Sequence, residues 1–107
     1  MPVIERTATI VNPLGMHARP AAEFVKVASR FRANVEVKKD DLVVNGKSIM
    51  GVMMLAAERG APLVIKTDGD DADEAMQALL ALVADGFNEM DFTGDETGDS
   101  EELEERG

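Results

Sequence analysis

The spacing of apolar and polar positions predicts four short strands in the first 87 residues of the chain. Residues 3–11 are mostly apolar or β-branched, and residues 34–38 alternate strictly between apolar and polar side chains. Residues 42–44 fit the return strand of a hairpin. Residues 62–67 contain a short apolar run that is typical of a buried strand.

Between these strands the apolar positions change to helical spacing, which predicts three helices. The first helix begins at Ala18, directly after a loop that contains Pro13 and Gly15, two residues that interrupt a strand. The last helix begins at Ala72 and ends near Gly86. Asp70 or Asp71 can cap its start, and Asp71, followed three residues later by Glu74, resembles a capping box.

The middle helix is short and rich in methionine. Residues 48–55 fit two helical turns but contain more apolar side chains than one buried stripe can hold. We expect some of these side chains to be exposed, and Ile49, Val52 and Met53 to lie in the core. Flexible methionine side chains suit surfaces that adapt to several partners.

The resulting order of elements, β-α-β-β-α-β-α, predicts the fold class. Three helices with such short connections cannot cover both faces of four strands. We therefore predict an α+β fold, a two-layer open-faced β-sandwich whose four-stranded, mainly antiparallel sheet carries the helices on one face. One domain, residues 1–87, is the natural division at this length.

Charge separates the remaining residues from this domain. The chain has 21 acidic and 11 basic side chains and a formal charge of −10, but residues 1–87 carry only −2 of it. Residues 88–107 carry −8 and lack periodicity, so we predict a disordered acidic tail. A solubilising extension without a specific role is the simplest interpretation of that tail.

The same composition excludes several classes of function. The acidic surplus argues against nucleic acid and against an anionic membrane surface as partners. Because cysteine is absent, disulfides, thiolate metal sites and cysteine nucleophiles are excluded. Apolar runs are far shorter than the roughly 20 residues that span a bilayer. Glu5 and Arg6 stand where a signal peptide would be apolar, so we expect a cytoplasmic protein.

The single histidine, His17, occupies a position suited to phosphoryl chemistry. It lies between the glycine loop and the first helix, and Arg19 follows two residues later. A helix start exposes backbone N–H groups and attracts phosphate. A neutral imidazole there can attack a phosphoryl group, while a guanidinium matches phosphate geometry. The alternative is an ordinary cap or surface histidine, and a lone histidine does not indicate a metal site.

Ser48 is a second candidate, because it directly precedes the methionine-rich helix. A serine at this position is typical of a helix N-cap, which is the simpler interpretation. Gly46-Lys47-Ser48 superficially suggests a phosphate-binding P-loop. That motif requires a glycine five positions before Gly46, where the chain has Asp41, so we reject it.

Two longer motifs resemble a known family. Residues 12–22, Asn-Pro-Leu-Gly-Met-His-Ala-Arg-Pro-Ala-Ala, resemble the active-centre signature of HPr, the histidine-containing phosphocarrier of the bacterial phosphoenolpyruvate-dependent phosphotransferase system. Residues 47–53, Lys-Ser-Ile-Met-Gly-Val-Met, resemble the family's regulatory serine motif. The resemblance covers about residues 2–87, and the predicted order of elements agrees with it. Typical members end soon after the last helix, whereas this chain continues.

The resemblance implies a phosphoryl carrier rather than an enzyme, without cofactor or metal. His17 would accept a phosphoryl group on Nδ1 from phosphorylated enzyme I and pass it to an EIIA-type acceptor, with Arg19 stabilising the group. Ser48 would be phosphorylated by HPr kinase/phosphorylase. The chain would be a monomer. Partners would dock on Met16, Arg19, Lys47, Ile49, Met50, Met53 and Met54.

Two other functions remain open from the sequence. The chain could be mainly a regulatory phosphoprotein in carbon or nitrogen signalling, not coupled to sugar uptake, and act chiefly through Ser48. A small ligand-binding α+β domain without phosphoryl transfer is the weaker alternative, because the sequence shows no clear polar pocket.

Overall fold

The computed structural model describes residues 2–88, so the predicted acidic tail, apart from Asn88, lies outside the described residues. Within them, the elements follow the predicted order and confirm the α+β fold. The four strands are β1 (Val3–Thr9), β2 (Asn34–Lys39), β3 (Leu42–Asn45) and β4 (Pro62–Asp68). The three helices are α1 (Ala18–Ala28), α2 (Ile49–Met54) and α3 (Ala72–Ala84), and a 3-10 turn (Gly86–Asn88) follows.

The sheet has the strand order β1-β4-β2-β3, and every neighbouring pair is antiparallel. Asp68 lies opposite Val3 on one side and Asn34 on the other, which fixes one end of the sheet. The first strand therefore pairs with the last of the four strands that the structure describes, which begins more than fifty residues later.

One face of the sheet is covered by helices and the other is open. Inward side chains alternate with exposed ones along β2 and β4, as a half-buried strand requires. The covered face and the helices together form the core, whose largest fully buried apolar side chains are Phe24, Phe87, Ile10, Leu63, Ile65, Leu79, Val37, Val52 and Val83.

The three helices lie side by side with alternating direction. The Asp71 carboxylate, at the start of α3, accepts hydrogen bonds from the amides of Arg32 and Ala33, just beyond the end of α1. Since α1 and α3 also contact each other, α3 runs back along α1. Similarly, the ammonium group of Lys47, just before α2, donates to the Phe31 carbonyl. Helix α1 contacts both α2 and α3 and thus lies between them.

This arrangement gives the helical layer two distinct ends. The tied end comprises residues 29–34, 47–48 and 67–72, where α1 ends and the other two helices begin. The site end comprises residues 12–19, 55–61 and 85–88, where α1 begins and the other two helices end. His17 belongs to the site end, and so does the last described residue, Asn88.

Two predictions about the helices are wrong. Of the three α2 residues expected in the core, only Val52 is buried; Ile49 and Met53 are about two-fifths exposed. A helix of six residues presents only one side to the sheet and α1, which leaves most of its apolar residues outside. The capping box at α3 is also absent, because Asp71 is the N-cap residue but makes no side-chain cap hydrogen bond. Its carboxylate binds Arg32 and Ala33 instead.

The chain turns sharply after α3. Gly86, Phe87 and Asn88 have φ angles of 66°, 57° and 63°, all in the left-handed region. This conformation costs a residue with a side chain about 1–2 kcal/mol. The Phe87 ring is nonetheless 1% exposed and belongs to the core cluster, and its burial offsets that cost.

Candidate functional site

The loop before α1 is held by main-chain hydrogen bonds and one buried amide. The Gly15 amide donates to the Asn12 carbonyl at 3.1 Å, and the His17 amide donates to the Gly15 carbonyl at 3.1 Å. The Asn12 side chain is fully buried, and its Nδ2 donates to the Gly15 carbonyl at 2.8 Å. Sequence reasoning treated Asn12 only as part of a turn, although an asparagine before proline is a recognised turn former.

A second contact fastens the same loop to the segment after α2. The Met16 amide donates to the Ala57 carbonyl at 2.7 Å. Gly15 has a φ of 71°, and a Cβ placed on it would lie 2.6 Å from the Ala57 carbonyl oxygen. Glycine is therefore required at this position both for its backbone angle and for the close approach of two chain segments.

His17 is the N-cap residue of α1, as predicted. Its backbone is extended, with φ of −97° and ψ of −168°, and its carbonyl accepts from the Ala21 amide at 3.0 Å. The imidazole is half-buried and makes no cap hydrogen bond to the helix. The ring therefore lies at the helix start without serving as the side-chain cap, which excludes the first of the two alternatives, a capping histidine, and leaves the second, a surface histidine.

The first turn of α1 favours an anion. It contains exposed Arg19 and no acidic residue. Pro20 is buried as the third helical residue, where a missing N–H removes no intrahelical bond. Ala21 is the first residue whose amide donates back within the helix, so the amides before it lie at the positive end of the helix dipole.

Ser48 is the N-cap residue of α2, also as predicted. Its Oγ accepts from the Gly51 amide at 3.0 Å. Lys47 next to it is half-buried; its amide donates to Asn45 Oδ1 at 2.8 Å and its ammonium group to the Phe31 carbonyl at 2.7 Å. Lys47 therefore joins α2 to the end of α1, a structural contact that the sequence did not indicate.

Helix α2 presents an exposed apolar surface. Met50 is 75% exposed and Met54 64%, and Ile49 and Met53 are partly exposed beside them. We call these four residues the methionine surface. Leu14, in the loop before His17, adds a further exposed apolar side chain that sequence reasoning did not single out.

Met16 behaves differently, since its side chain is 5% exposed and packs in the core. The expectation that the Met16 side chain contacts partners is wrong, because the inward turn of the loop buries it.

The candidate residues are thus distributed over both ends of the helical layer. His17 and Arg19 lie at the site end, close to the segment that follows α2. Ser48 and Lys47 lie at the tied end, separated from that segment by the length of α2, about 9 Å at 1.5 Å per residue. The methionine surface lies between them.

The described residues contain neither a metal cluster nor a membrane helix. Within residues 2–88, no three His, Cys, Asp or Glu side chains are arranged to hold a metal ion. In the same part of the chain, no helix has the length and apolar character needed to cross a membrane.

Comparison with known proteins identifies relatives over most of the chain. The family model described as the PTS HPr component phosphorylation site matches residues 4–85. The phosphocarrier protein HPr of Cupriavidus necator is 47% identical over 87 residues, covering 81% of this chain and 98% of the relative. The phosphocarrier protein HPr of Pseudomonas aeruginosa is 49% identical over 90 residues, covering 83% and 98%.

Solved structures agree with these matches. The crystal structure of HPr from Thermoanaerobacter tengcongensis has a TM-score of 0.77 and 45% identity, covering 79% of this chain and 96% of that one. A crystal structure described as an HPr dimer from the same organism has a TM-score of 0.64 and 46% identity, covering 73% and 90%. The HPr-like protein Crh of Halalkalibacterium halodurans is 42% identical over 81 residues, covering 76% and 96%.

Proposed function

The chain belongs to the PTS HPr family of phosphocarrier proteins, and from that premise we propose that His17 is its phosphoryl acceptor. Nδ1 of the neutral imidazole attacks the phosphorus atom of phosphorylated enzyme I; the N–P bond to His17 forms as the bond to the donor breaks. An EIIA-type protein then takes the phosphoryl group by the reverse displacement. The observation that carries the proposal is a histidine at a helix start that does not use its side chain as the cap.

Arg19 and the helix start would stabilise the charge on the transferred group. A phosphoryl group at His17 carries its negative oxygens near the amides of the first turn of α1. The Arg19 guanidinium can bind two of these oxygens at once, which an ammonium group cannot do with the same geometry. The lack of acidic residues in this turn removes a source of repulsion.

Labelling with enzyme I tests this proposal. Incubation with phosphoenolpyruvate and enzyme I should give a phosphoryl group that is labile in acid and stable in base, as expected for phosphohistidine. His17→Ala should lose the label, whereas Ser48→Ala, a matched change at the other candidate residue, should keep it. Equal labelling of His17→Ala would refute the assignment.

The methionine surface is the docking site that we propose for enzyme I and EIIA. Carriers need small apolar contacts that form and dissociate rapidly, and exposed methionines adapt to different partners. Arg19 would contribute a charged contact at its edge. Lys47 contributes less than the sequence suggested, because its ammonium group already binds the Phe31 carbonyl.

Phosphorylation of Ser48 by HPr kinase/phosphorylase would regulate this docking. It adds about −1.5 to −2 charges at the edge of the methionine surface. A phosphate is tolerated by the fold there, since it lies at the N-terminus of α2. Ser48→Asp should weaken enzyme I binding more than it weakens folding. ATP-dependent labelling that is unchanged in Ser48→Ala would contradict the assignment.

The alternative is a mainly regulatory phosphoprotein, which the match to an HPr-like protein named Crh favours. If phosphoserine alters partner binding while His17 cannot be phosphorylated by enzyme I, this alternative is correct.

We also propose a cytoplasmic monomer, because phosphoenolpyruvate and ATP are cytoplasmic metabolites and a carrier must expose its docking surface. Analytical ultracentrifugation tests the monomer; a stable dimer would contradict it.

A further inference from the structure

Charge is divided unevenly between the helices. Residues 17–32 and 47–57, which contain α1 and α2, carry five basic side chains and one acidic one, a net charge of +4. The other described residues carry −6, and all charged residues from 68 to 88 are acidic. Because α1 lies between α2 and α3, a positive half of the helical layer adjoins a negative half.

The acidic segment leaves the fold at the boundary between these halves. Helix α3 runs back along α1, so its C-terminal end and the 3-10 turn lie at the site end. The 3-10 turn contacts both α3 and α1. Phe87 is buried in the core, which fixes the point from which residue 89 continues. The segment therefore begins beside the start of α1 rather than at the distant, acidic start of α3.

The composition of residues 89–107 complements the α1–α2 half. Nine of these 19 residues are acidic and one, Arg106, is basic, for a net charge of −8. Met90 and Phe92 are apolar residues close to the exit point, and Leu103 lies farther along. The α1–α2 half offers both a positive charge of +4 and the exposed methionine surface.

The segment is long enough to reach this half. Nineteen residues can span at most about 60 Å when fully extended, whereas packed helices lie about 8–10 Å apart. The segment need cross only α1 to reach α2. Surface ion pairs are individually weak. A tethered ligand, however, is present at an effective concentration on the order of millimolar, so that weak contacts become populated.

We propose that residues 89–107 dock on the α1–α2 half of their own chain and compete there with the partners of His17. The acidic side chains bind the basic groups of α1, and Met90 and Phe92 cover part of the methionine surface. The docking is inferred from the opposite charges of the two parts, the length of the segment and the point at which it leaves the fold. The competition with partners rests in addition on the proposed function.

Paramagnetic relaxation tests the docking directly. The chain has no cysteine, so Ser100→Cys provides a single attachment point for a nitroxide spin label. In about 20 mM salt, the label should broaden amide signals of α1 and α2 more than those of β1 and β3. At about 0.5 M salt, where the Debye length is only a few ångströms, the broadening should disappear. Equal broadening of all elements, or broadening that salt does not change, would overturn the proposal.

Matched variants identify the charges involved. Lys26→Gln/Arg30→Gln removes two exposed basic residues, one in α1 and one just after its end, and should reduce the broadening at least twofold. Lys38→Gln/Lys66→Gln removes two exposed basic residues of the sheet and should leave it unchanged. An equal effect of both pairs would contradict docking on α1.

Mixing spin-labelled protein with isotope-labelled protein that carries no spin label tests whether a second copy of the chain, rather than the chain itself, supplies the docked segment. Broadening of equal strength in that mixture would overturn the intramolecular contact.

Phosphoryl transfer tests the competition. In the variant Asp95→Asn/Glu96→Gln/Asp99→Asn/Glu101→Gln/Glu102→Gln, the KM for transfer from enzyme I should fall about three- to tenfold at low salt. This range corresponds to a docked population of about 70–90% in the native chain. At about 0.5 M salt the two KM values should converge. An unchanged KM at low salt would refute the competition. Absence of transfer in both proteins would refute the proposed function, while the relaxation data would still decide the docking.

Discussion

The tied end and the site end belong to the same helices but are held together by different chemistry. At the tied end, polar side chains bind the main chain: Asp71 accepts from Arg32 and Ala33, and Lys47 donates to Phe31. Thr67 at the same end is buried, and its hydroxyl donates to the Ala72 carbonyl.

At the site end, main-chain groups and packing perform the same task. The Met16 amide binds the Ala57 carbonyl, the Ile10 amide binds the Ala61 carbonyl, and Phe87 fills the core. In the loop there, the buried Asn12 side chain donates a hydrogen bond to the Gly15 carbonyl. Side chains therefore link separate segments at the tied end, whereas main-chain hydrogen bonds link them at the site end, where His17 and Arg19 lie.

Of the substitutions that compare the two ends, replacing Phe87 should lower the free energy of unfolding the most. Phe87→Ala removes a fully buried ring at the site end, and we expect the free energy of unfolding to fall by about 3–5 kcal/mol. Urea unfolding measures the change. Phe87→Leu, which keeps most of the apolar volume, should lose less and remain folded. Val43→Ala, on an exposed strand, should stay within about 0.5 kcal/mol of the native chain. If Phe87→Ala costs no more than Val43→Ala, packing does not hold this end.

Gly15→Ala should have the next largest effect. The added Cβ meets the Ala57 carbonyl and the residue has a φ of 71°, so we expect a loss of about 2 kcal/mol. The loop must shift to relieve the contact, and the rate of His17 phosphorylation should fall as well. Gly60→Ala is the control, since its φ is 90° but a Cβ there meets no atom within 4 Å. Equal losses would mean that backbone angle alone, without the close approach, explains the requirement for glycine.

The pH dependence of stability in Asp71→Asn tests whether the ionised Asp71 carboxylate stabilises the tied end. The Arg32 amide above all, together with the Ala33 amide, holds the pKa of the Asp71 carboxyl below its usual 3.8. Its contribution to stability is therefore complete above that value and is lost as the pH falls through the lowered pKa of the folded state.

At pH 7 the native chain should have a higher free energy of unfolding than Asp71→Asn. The difference should be smaller than the loss caused by Phe87→Ala, because Asp71 is partly exposed. The difference should shrink towards pH 3 and below, as followed by urea unfolding across this range. Asp73→Asn, in the first turn of the same helix, should show a smaller difference. A gap that stays constant with pH would contradict the role of the ionised carboxylate.

Ala56→Gly should have the smallest effect and the opposite sign. Ala56 directly follows the C-cap residue of α2, Leu55, at the site end and has a φ of 48°, a conformation that glycine adopts without strain. We expect a gain of up to about 0.5 kcal/mol, because relief of strain slightly exceeds the greater entropy of glycine in the unfolded chain. Ala81→Gly, at an exposed position inside helix α3, should instead lose about 0.5–1 kcal/mol. A loss at both positions would show that the Ala56 backbone is not strained.

The sequence allowed the fold class to be predicted because the two periodicities are clear. Strict alternation in β2 and helical spacing in α1 are local properties, and both N-caps, His17 and Ser48, follow from the residues around them. The resemblance of two long motifs then indicated the family, which the comparisons confirm.

The errors have a common cause, because they concern residues whose surroundings are set by distant parts of the chain. Met16 is buried where the loop meets Ala57, more than forty positions away. Asp71 prefers the amides of Arg32 and Ala33 to its own helix. The exposure of Ile49 and Met53 depends on how few turns α2 makes. None of these contacts leaves a local signal in the sequence.

The pairing of the first strand with the last has a consequence for the nascent chain. During synthesis β1 leaves the ribosome early but has no neighbour in the sheet until β4 follows, over fifty residues later. The loop before His17 depends on the residues that directly precede β4, since the Met16 amide binds the Ala57 carbonyl and the Ile10 amide binds the Ala61 carbonyl. Long-range pairings of this kind form slowly. We therefore expect the loop that holds His17 to reach its final geometry only when nearly the whole domain has been translated, so that the proposed phosphoryl transfer is restricted to the finished domain.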